Sequence, residues 1–269
     1  MRILIVGNGV AGNSAASAAR AFCKDARITL VSREPFEEYS ACALALYVSG
    51  RMSRERIFLK SPADYRSEGI EAFLGEEVIA LDLEGRRAIS TSREFPFDRL
   101  ILATGSEATV PTVPGARLPG TFTLKSLGDA DKIRAKVYGP GNFAGRSAVV
   151  VGSGPIGIEA AIALKESGCE VVLIELLDWV LPKLLDREPA SIIKSLLEAK
   201  GIHVLTGERV LEVVGRSQVE GVVTDRRRIE CDIVIWAIGM KPSISIALDA
   251  QLPIGRAGGL AVDSRLMAS

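Results

Sequence analysis

Two glycine-rich hexapeptides carry the clearest chemistry in this chain. Gly7-Asn8-Gly9-Val10-Ala11-Gly12 and Gly152-Ser153-Gly154-Pro155-Ile156-Gly157 each follow a short aliphatic run and open an Ala-rich stretch. Both fit G-x-G-x-x-G. In that pattern the first glycine permits a tight turn and the second lets a pyrophosphate approach the backbone. The third allows helix and strand to pack closely. The helix start supplies free N–H groups and the positive end of its dipole. One such hexapeptide is weak evidence; two in the same strand–loop–helix setting are strong. They predict two dinucleotide-phosphate cradles, one at Gly7, Gly9, Val10, Ala11 and Gly12, the other at Gly152, Gly154, Pro155, Ile156 and Gly157.

An acidic residue about 20 positions past the first glycine distinguishes NAD sites from NADP sites. For the second loop it is Glu175, which closes the run 171–174. A carboxylate there accepts hydrogen bonds from ribose hydroxyls and repels a 2′-phosphate. Leu176, Leu177 and Asp178 follow, with no arginine, so NADH is expected rather than NADPH. For the first loop the position falls on Ser32, followed by Arg33 and Glu34. Either Glu34 takes the ribose role from two residues further on, or Ser32 does. The plain alternative is that Glu34 is a surface carboxylate.

Other chemistries are argued against. The chain has 269 residues with one histidine, His203, which a Ser-His-Asp triad or a His-based metal site would have to use. Cys23, Cys42, Cys169 and Cys231 form no C-x-x-C pair, so no metal site is expected, and they suit a reducing cytoplasm. Lys+Arg and Asp+Glu stand at 33 each, which gives no basic surplus for nucleic acid. The apolar runs are too short to span a membrane, and the N-terminal run lacks the form of a signal peptide. Hydrophobic residues at 48% can build a sizeable core.

Two βαβ units of one design must position these loops. The first takes strand 2–6, helix 12–23 and strand 28–31. The second takes strand 148–151, helix 156–167 and strand 171–174. Strands alternating with small-residue helices predict an α/β fold with parallel sheets and helices on their faces, and the repeat is the most informative feature of the chain. Between the units lie a short helix (61–69), strands near 77–83 and 86–90, a buried strand (99–103) and a Pro/Gly-dense crossing (111–115). Beyond lie an amphipathic helix (190–200) with Ile192, Ile193, Leu196 and Leu197 on one face, a strand at 203–205, a hairpin through 210–223 and a strand at 233–237. A second crossing is expected near Pro242, and a strand starting within 258–269.

Further segments give the pattern a family likeness. Phe97-Asp98-Arg99-Leu100-Ile101-Leu102-Ala103-Thr104-Gly105-Ser106 and Cys231-Asp232-Ile233-Val234-Ile235-Trp236-Ala237-Ile238-Gly239-Met240-Lys241-Pro242 join the two loops in order. With them the whole chain resembles the FAD-dependent pyridine nucleotide-disulfide oxidoreductases. The resemblance implies two three-layer, Rossmann-like dinucleotide-binding domains, the second inserted in the first. FAD is then expected on 1–112, NAD(H) on 113–241, and a return segment at 242–269. It adds Ala103, Thr104, Gly105, Ala237, Ile238 and Gly239 to the cofactor contacts. It places Glu159 near nicotinamide and flavin; the physical alternative is a helix-start carboxylate favoured by the dipole.

The segment 39–50, YSACALALYVSG, is similar to the single-cysteine context of the NADH oxidases and coenzyme A-disulfide reductases, with Ala43 and Ala45 departing from that pattern. By this likeness Cys42 is a lone redox cysteine, cycling as a mixed disulfide or a sulfenic acid. The plain alternative is a small buried core cysteine. The acceptor implied is a disulfide, a polysulfide or oxygen. The alternative is a redox protein partner of the rubredoxin or nitrite-reductase type, or a nucleotide-binding fragment without turnover. By the resemblance, the family's flavin-holding Asp segment and its homodimer interface region are not expected within residues 1–269.

Overall fold

The computed structural model describes residues 1–139 and 146–268, and the chain forms two compact units. One takes Met1–Ser40, Phe58–Glu107 and Lys241–Ser269; the other takes Ala41–Ile57 and Ala108–Met240.

In the first unit four parallel strands lie in the order Ile70–Leu74, Arg27–Ser32, Arg2–Val6, Arg99–Leu102. Successive strand side chains point to opposite faces, and the core divides accordingly. Ile3, Ile5, Ile28 and Leu30 join Ala16 of helix Val10–Phe22 and Tyr65 of helix Pro62–Ser67. Leu4, Val6 and Val31 face the other way, onto Val78, Ala88, Phe95, Phe97 and Ile246. That second face is covered by an antiparallel sheet, Val78–Asp82, Arg87–Ser90 and Glu94–Pro96, and not by the expected helices. The residues between the first two strands turn tightly, with Gly85 N donating to Asp82 Oδ1 at 2.7 Å. A hairpin can therefore cover the sheet with fewer residues than a helical crossover needs.

The second unit repeats the plan. Five parallel strands run in the order Ile202–Thr206, Glu170–Glu175, Ser147–Val151, Ile233–Trp236, Thr121–Thr123. Helix Pro155–Glu166 packs against the strands around it. A three-stranded antiparallel sheet, Val210–Val214, Gly221–Thr224 and Arg228–Glu230, covers the face carrying Val149, Val151, Val234 and Trp236. Both units are thus three-layered α/β folds. The strand Thr121–Thr123 and helix Leu127–Tyr138 were not foreseen, although Ser126 and Asp129 form a complete capping box at the helix start.

Three expectations are corrected. The stretch 1–112 does not form one body, because 41–57 folds with the second unit. Helix Leu44–Val48 packs on helices Leu127–Tyr138 and Pro155–Glu166. The Arg134 guanidinium lies between the Tyr47 and Tyr138 rings, 4.6 and 4.7 Å from their centres, and donates to Tyr47 O. Asp131 accepts from Tyr47 Oη at 2.7 Å and pairs with Arg54 at 3.1 Å. Secondly, helix Arg187–Ala199 buries Ala190 and Leu197, while Ile192 and Leu196 stand 60% and 56% exposed. Its covered stripe runs through 190, 193 and 197, so the two remaining apolar residues fall outside it. Thirdly, no strand forms in 258–268 beyond an isolated Ile254–Leu260 bridge. The chain turns back at Asp263, whose Oδ1 accepts from Arg265 N and Met267 N. Ser269 lies outside the described residues.

Candidate dinucleotide-binding sites

Each predicted phosphate loop follows an interior strand of its parallel sheet, Arg2–Val6 or Ser147–Val151, and opens a helix, and the glycines divide the work identically in both. Gly7 has φ +120° and Gly152 +101°, a region where a side chain is strained. A Cβ at Gly7 would run into the Ala103 carbonyl, and one at Gly152 would come within 2.5 Å of Ala237 O. A Cβ at Gly12 or Gly157 would run into the carbonyl oxygen of Gly7 or Gly152. The outer glycines are therefore demanded by the protein itself. The middle glycines are not, since a Cβ at Gly9 or Gly154 would meet nothing within 4 Å.

Gly9 and Gly154 are also the N-caps of helices Val10–Phe22 and Pro155–Glu166, and neither cap has a side-chain hydrogen bond. First-turn N–H groups have no partners inside the helix. Each site thus offers a side-chain-free cradle with donors and a dipole end aimed into it, which fits the pyrophosphate of a dinucleotide. Val10 and Ala11 start the first helix, and Pro155 and Ile156 start the second, with Pro155 where its missing N–H costs nothing.

The strand-end segments repeat as well. Ala103, Thr104 and Gly105 follow strand Arg99–Leu102, and Ala237, Ile238 and Gly239 follow strand Ile233–Trp236. Each of these strands pairs in parallel with the strand that enters a phosphate loop. Gly105 and Gly239 have positive φ and would present a Cβ to open space. Thr104 Oγ1 donates to Ser243 O at 2.6 Å.

The ribose ends differ. Val6 pairs with Val31 and Val151 with Ile174, so Ser32 and Glu175 occupy equivalent places, one residue beyond. Glu175 is buried at 8% exposure. Its Oε2 accepts from Ser153 N at 2.8 Å and Ser153 Oγ at 2.7 Å, and its Oε1 from Leu177 N at 2.9 Å. Sequence reasoning did not find Ser153, because x positions of the motif carry no pattern. Ser32 is equally buried. Glu34 accepts from Tyr39 Oη at 2.7 Å. Arg33 is exposed and faces Glu77 and Glu107 at 3.6 and 3.7 Å.

Cys42 sits in the exposed single-turn 3-10 segment Ala41–Ala43 that leads into helix Leu44–Val48. Core packing, the plain alternative for it, does not describe an exposed residue. All four cysteines are free thiols, with Cys169 and Cys231 buried. Burial pushes the Cys231 thiol up to about 12 and raises that of Cys169. Glu159 is exposed on helix Pro155–Glu166. It lies beyond the first turn, which holds no acidic residue, so the helix-start explanation for it fails. Among the described residues no group of His, Cys, Asp and Glu is placed to hold a metal, and no helix is long and apolar enough to cross a membrane.

Known proteins resemble this chain along its whole length. The family model of pyridine nucleotide-disulphide oxidoreductases matches residues 1–269. An NADH oxidase of Methanocaldococcus jannaschii is 33% identical over 263 residues, 95% of this chain and 58% of that protein. A rubredoxin-NAD(+) reductase of Pseudomonas putida is 30% identical over 100% of this chain and 69% of its own length. The structure of an NAD-dependent persulfide reductase from A. fulgidus matches with a TM-score of 0.94 at 30% identity, covering 100% of this chain and 51% of that one.

Proposed function

This chain belongs to the pyridine nucleotide-disulphide oxidoreductase family, and we propose that it takes FAD on its first unit and NADH on its second. Electrons then pass to a disulfide, polysulfide or oxygen acceptor through Cys42. The observation that carries this reading is the doubled cradle, with middle glycines open to a ligand and outer glycines closed by the protein. FAD supplies the step between a two-electron hydride donor and a thiol. The protein's own residues bind and orient.

Gly9 and Gly154, with their helix starts, receive the pyrophosphates. Glu34 or Ser32 receives the ribose of the first ligand. Glu175 favours NADH, because its fixed carboxylate accepts from a ribose hydroxyl and repels a 2′-phosphate. Glu159 lines the nicotinamide side of the second site. With a disulfide acceptor, the Cys42 thiolate attacks one sulfur, forms a mixed disulfide and releases a thiolate. Two electrons from NADH then restore the thiol, so that NADH, a proton and a disulfide yield NAD+ and two thiols. The proposed setting is the cytoplasm, which keeps Cys42 reduced.

The test is the visible spectrum of the purified chain after incubation with FAD and desalting, followed by anaerobic NADH. A retained flavin spectrum that NADH bleaches supports the reading, and a colourless protein refutes it. Cys42→Ser should keep the bleaching and abolish disulfide reduction. If disulfide reduction persists, Cys42 is not the relay. The relatives named rubredoxin-NAD(+) reductase and nitrate reductase electron transfer subunit then favour a protein acceptor.

A further inference from the structure

The residue between the first two glycines is unassigned by the motif, yet in both units it braces the phosphate loop. In the second unit Ser153 is completely buried. Its N–H and hydroxyl hold Glu175, and its carbonyl accepts from Leu181 N at 3.1 Å. In the first unit the corresponding residue is Asn8. Its Nδ2 donates to Phe36 O at 2.9 Å, which ties the loop to the segment following Ser32, Arg33 and Glu34. Its Oδ1 accepts from Asn13 Nδ2 at 3.0 Å and from Tyr65 Oη at 2.9 Å.

Tyr65 comes from helix Pro62–Ser67, distant in sequence, and is 3% exposed. Its hydroxyl also accepts from Glu38 N at 2.9 Å. One phenol therefore joins the phosphate loop to the segment beside the ribose end. Burial raises the pKa of this phenol, so the hydroxyl keeps its proton and remains a donor. An amide side chain has two distinct ends. The two donors on Oδ1 fix which end of Asn8 faces inward, and so direct Nδ2 toward Phe36 O. A Cβ at Gly9 would meet no atom within 4 Å, and the loop there is held by Asn8 and by Asn13, whose Nδ2 reaches Asn8 O and Gly9 O.

We propose that Tyr65 is a positioning residue for the first dinucleotide site, acting through Asn8 to pre-set the phosphate loop against the ribose-side segment. The proposal rests on FAD as the ligand of that unit. The loop geometry that the ligand needs is then formed before it arrives, so less ordering is charged to binding.

The experiment compares wild type, Tyr65→Phe, Asn8→Ala and the double variant. FAD affinity is read by flavin fluorescence, NADH affinity by calorimetry, and apo-protein amide exchange across 7–13 by mass spectrometry. Tyr65→Phe should weaken FAD about tenfold, or about 1.4 kcal/mol, and quicken exchange across 7–13. NADH affinity on the second unit should not change. In exchange across 7–13 the double variant should match Asn8→Ala alone, because Tyr65 reaches that loop through Asn8. Additive quickening across 7–13, or Tyr65→Phe with unaltered FAD affinity and exchange, overturns the proposal. A merely structural role would instead lower the melting temperature and NADH binding together. If Tyr65→Phe does not fold, Asn8→Ala must show the same weakening and faster exchange, and its failure to do so overturns the proposal. If the wild type takes no FAD, the functional reading fails, while exchange in the apo protein still decides the role of Tyr65.

Discussion

Replacing Gly154 by alanine separates what the fold requires from what the ligand requires. Gly154 sits at φ −67° and ψ 176°, a conformation alanine adopts freely. The new Cβ meets no protein atom within 4 Å. Two opposed effects act on stability. Restricting the unfolded chain contributes about 0.4–1 kcal/mol, and exchanging a glycine N-cap for alanine costs up to about 1 kcal/mol. They nearly cancel, and at about 2–4 °C per kcal/mol for a domain of this size the melting temperature should move little. The methyl group nevertheless occupies the pyrophosphate cradle, so NADH affinity should fall at least tenfold, or about 1.4 kcal/mol. Gly157→Ala is the counterpart. Its Cβ is driven into the Gly152 carbonyl, which is backbone and cannot swing aside. Overpacking of this kind costs about 1–3 kcal/mol, and melting temperature and binding should drop together. Calorimetric melting and NADH titration of both variants decide the matter. Gly154→Ala binding NADH like the wild type, or melting as low as Gly157→Ala, would show that the open space is not the cradle.

Glu175→Gln keeps the side chain's size while removing the charge that repels a 2′-phosphate. The ratio of NADPH to NADH dissociation constants should therefore fall about tenfold, and an unchanged ratio in paired titrations would place the discrimination elsewhere. Cys42 is exposed while Cys169 and Cys231 are buried. A thiol reagent at pH 8 should label Cys42 in the native protein and reach the buried pair only on unfolding; native labelling of Cys231 would contradict its burial. The Cys231 thiol ionises near 9 when unfolded and only at about 12 when folded. Stability from this group is complete below 9 and is lost as pH rises toward 12, which denaturant melts across that window would register. Asp98 runs the opposite way. The Arg2 guanidinium and backbone N–H at 2.8 and 2.7 Å hold its carboxyl down to about 2. Its contribution is complete above about 4 and is lost as pH falls toward 2, so Asp98→Asn should flatten the acid limb of the stability curve, and an unaltered limb would contradict the pairing.

The parts legible in the sequence are those whose physics is local. Arg2–Val6 and Ser147–Val151 read as strands because parallel strands, covered on both faces, are continuous aliphatic runs. The phosphate loops read because glycine alone satisfies both a positive φ at Gly7 and Gly152 and the backbone approach at Gly12 and Gly157. The antiparallel layers were only half legible. Their strands show, but a hairpin and a helical crossover leave similar apolar counts between the same two strands. The placement of 41–57 could not be read, since the Tyr47–Arg134–Tyr138 stack and the Asp131 network join residues whose pairing has no spacing rule. Ser153 and Tyr65 were missed for the same reason.

What the two units share and where they part matches the chemistry of the proposed ligands. A pyrophosphate is common to FAD and NADH, and the phosphate end is the same in both units down to which glycines the protein closes and which it leaves open. The ribose end is where the two units diverge. The equivalent strand-end place holds Ser32 in one and Glu175 in the other, and only Glu175 is held by the x residue of its own phosphate loop. In the first unit that x residue, Asn8, reaches past the strand end to Phe36 O, and the carboxylate two residues beyond Ser32, Glu34, is held by Tyr39. If Glu34 is the ribose acceptor, Tyr39→Phe should loosen FAD and leave NADH untouched. If Ser32 is, Tyr39→Phe should change neither, and Ser32→Ala should loosen FAD instead. Paired FAD titrations of the two variants therefore resolve the one alternative that motif spacing leaves open.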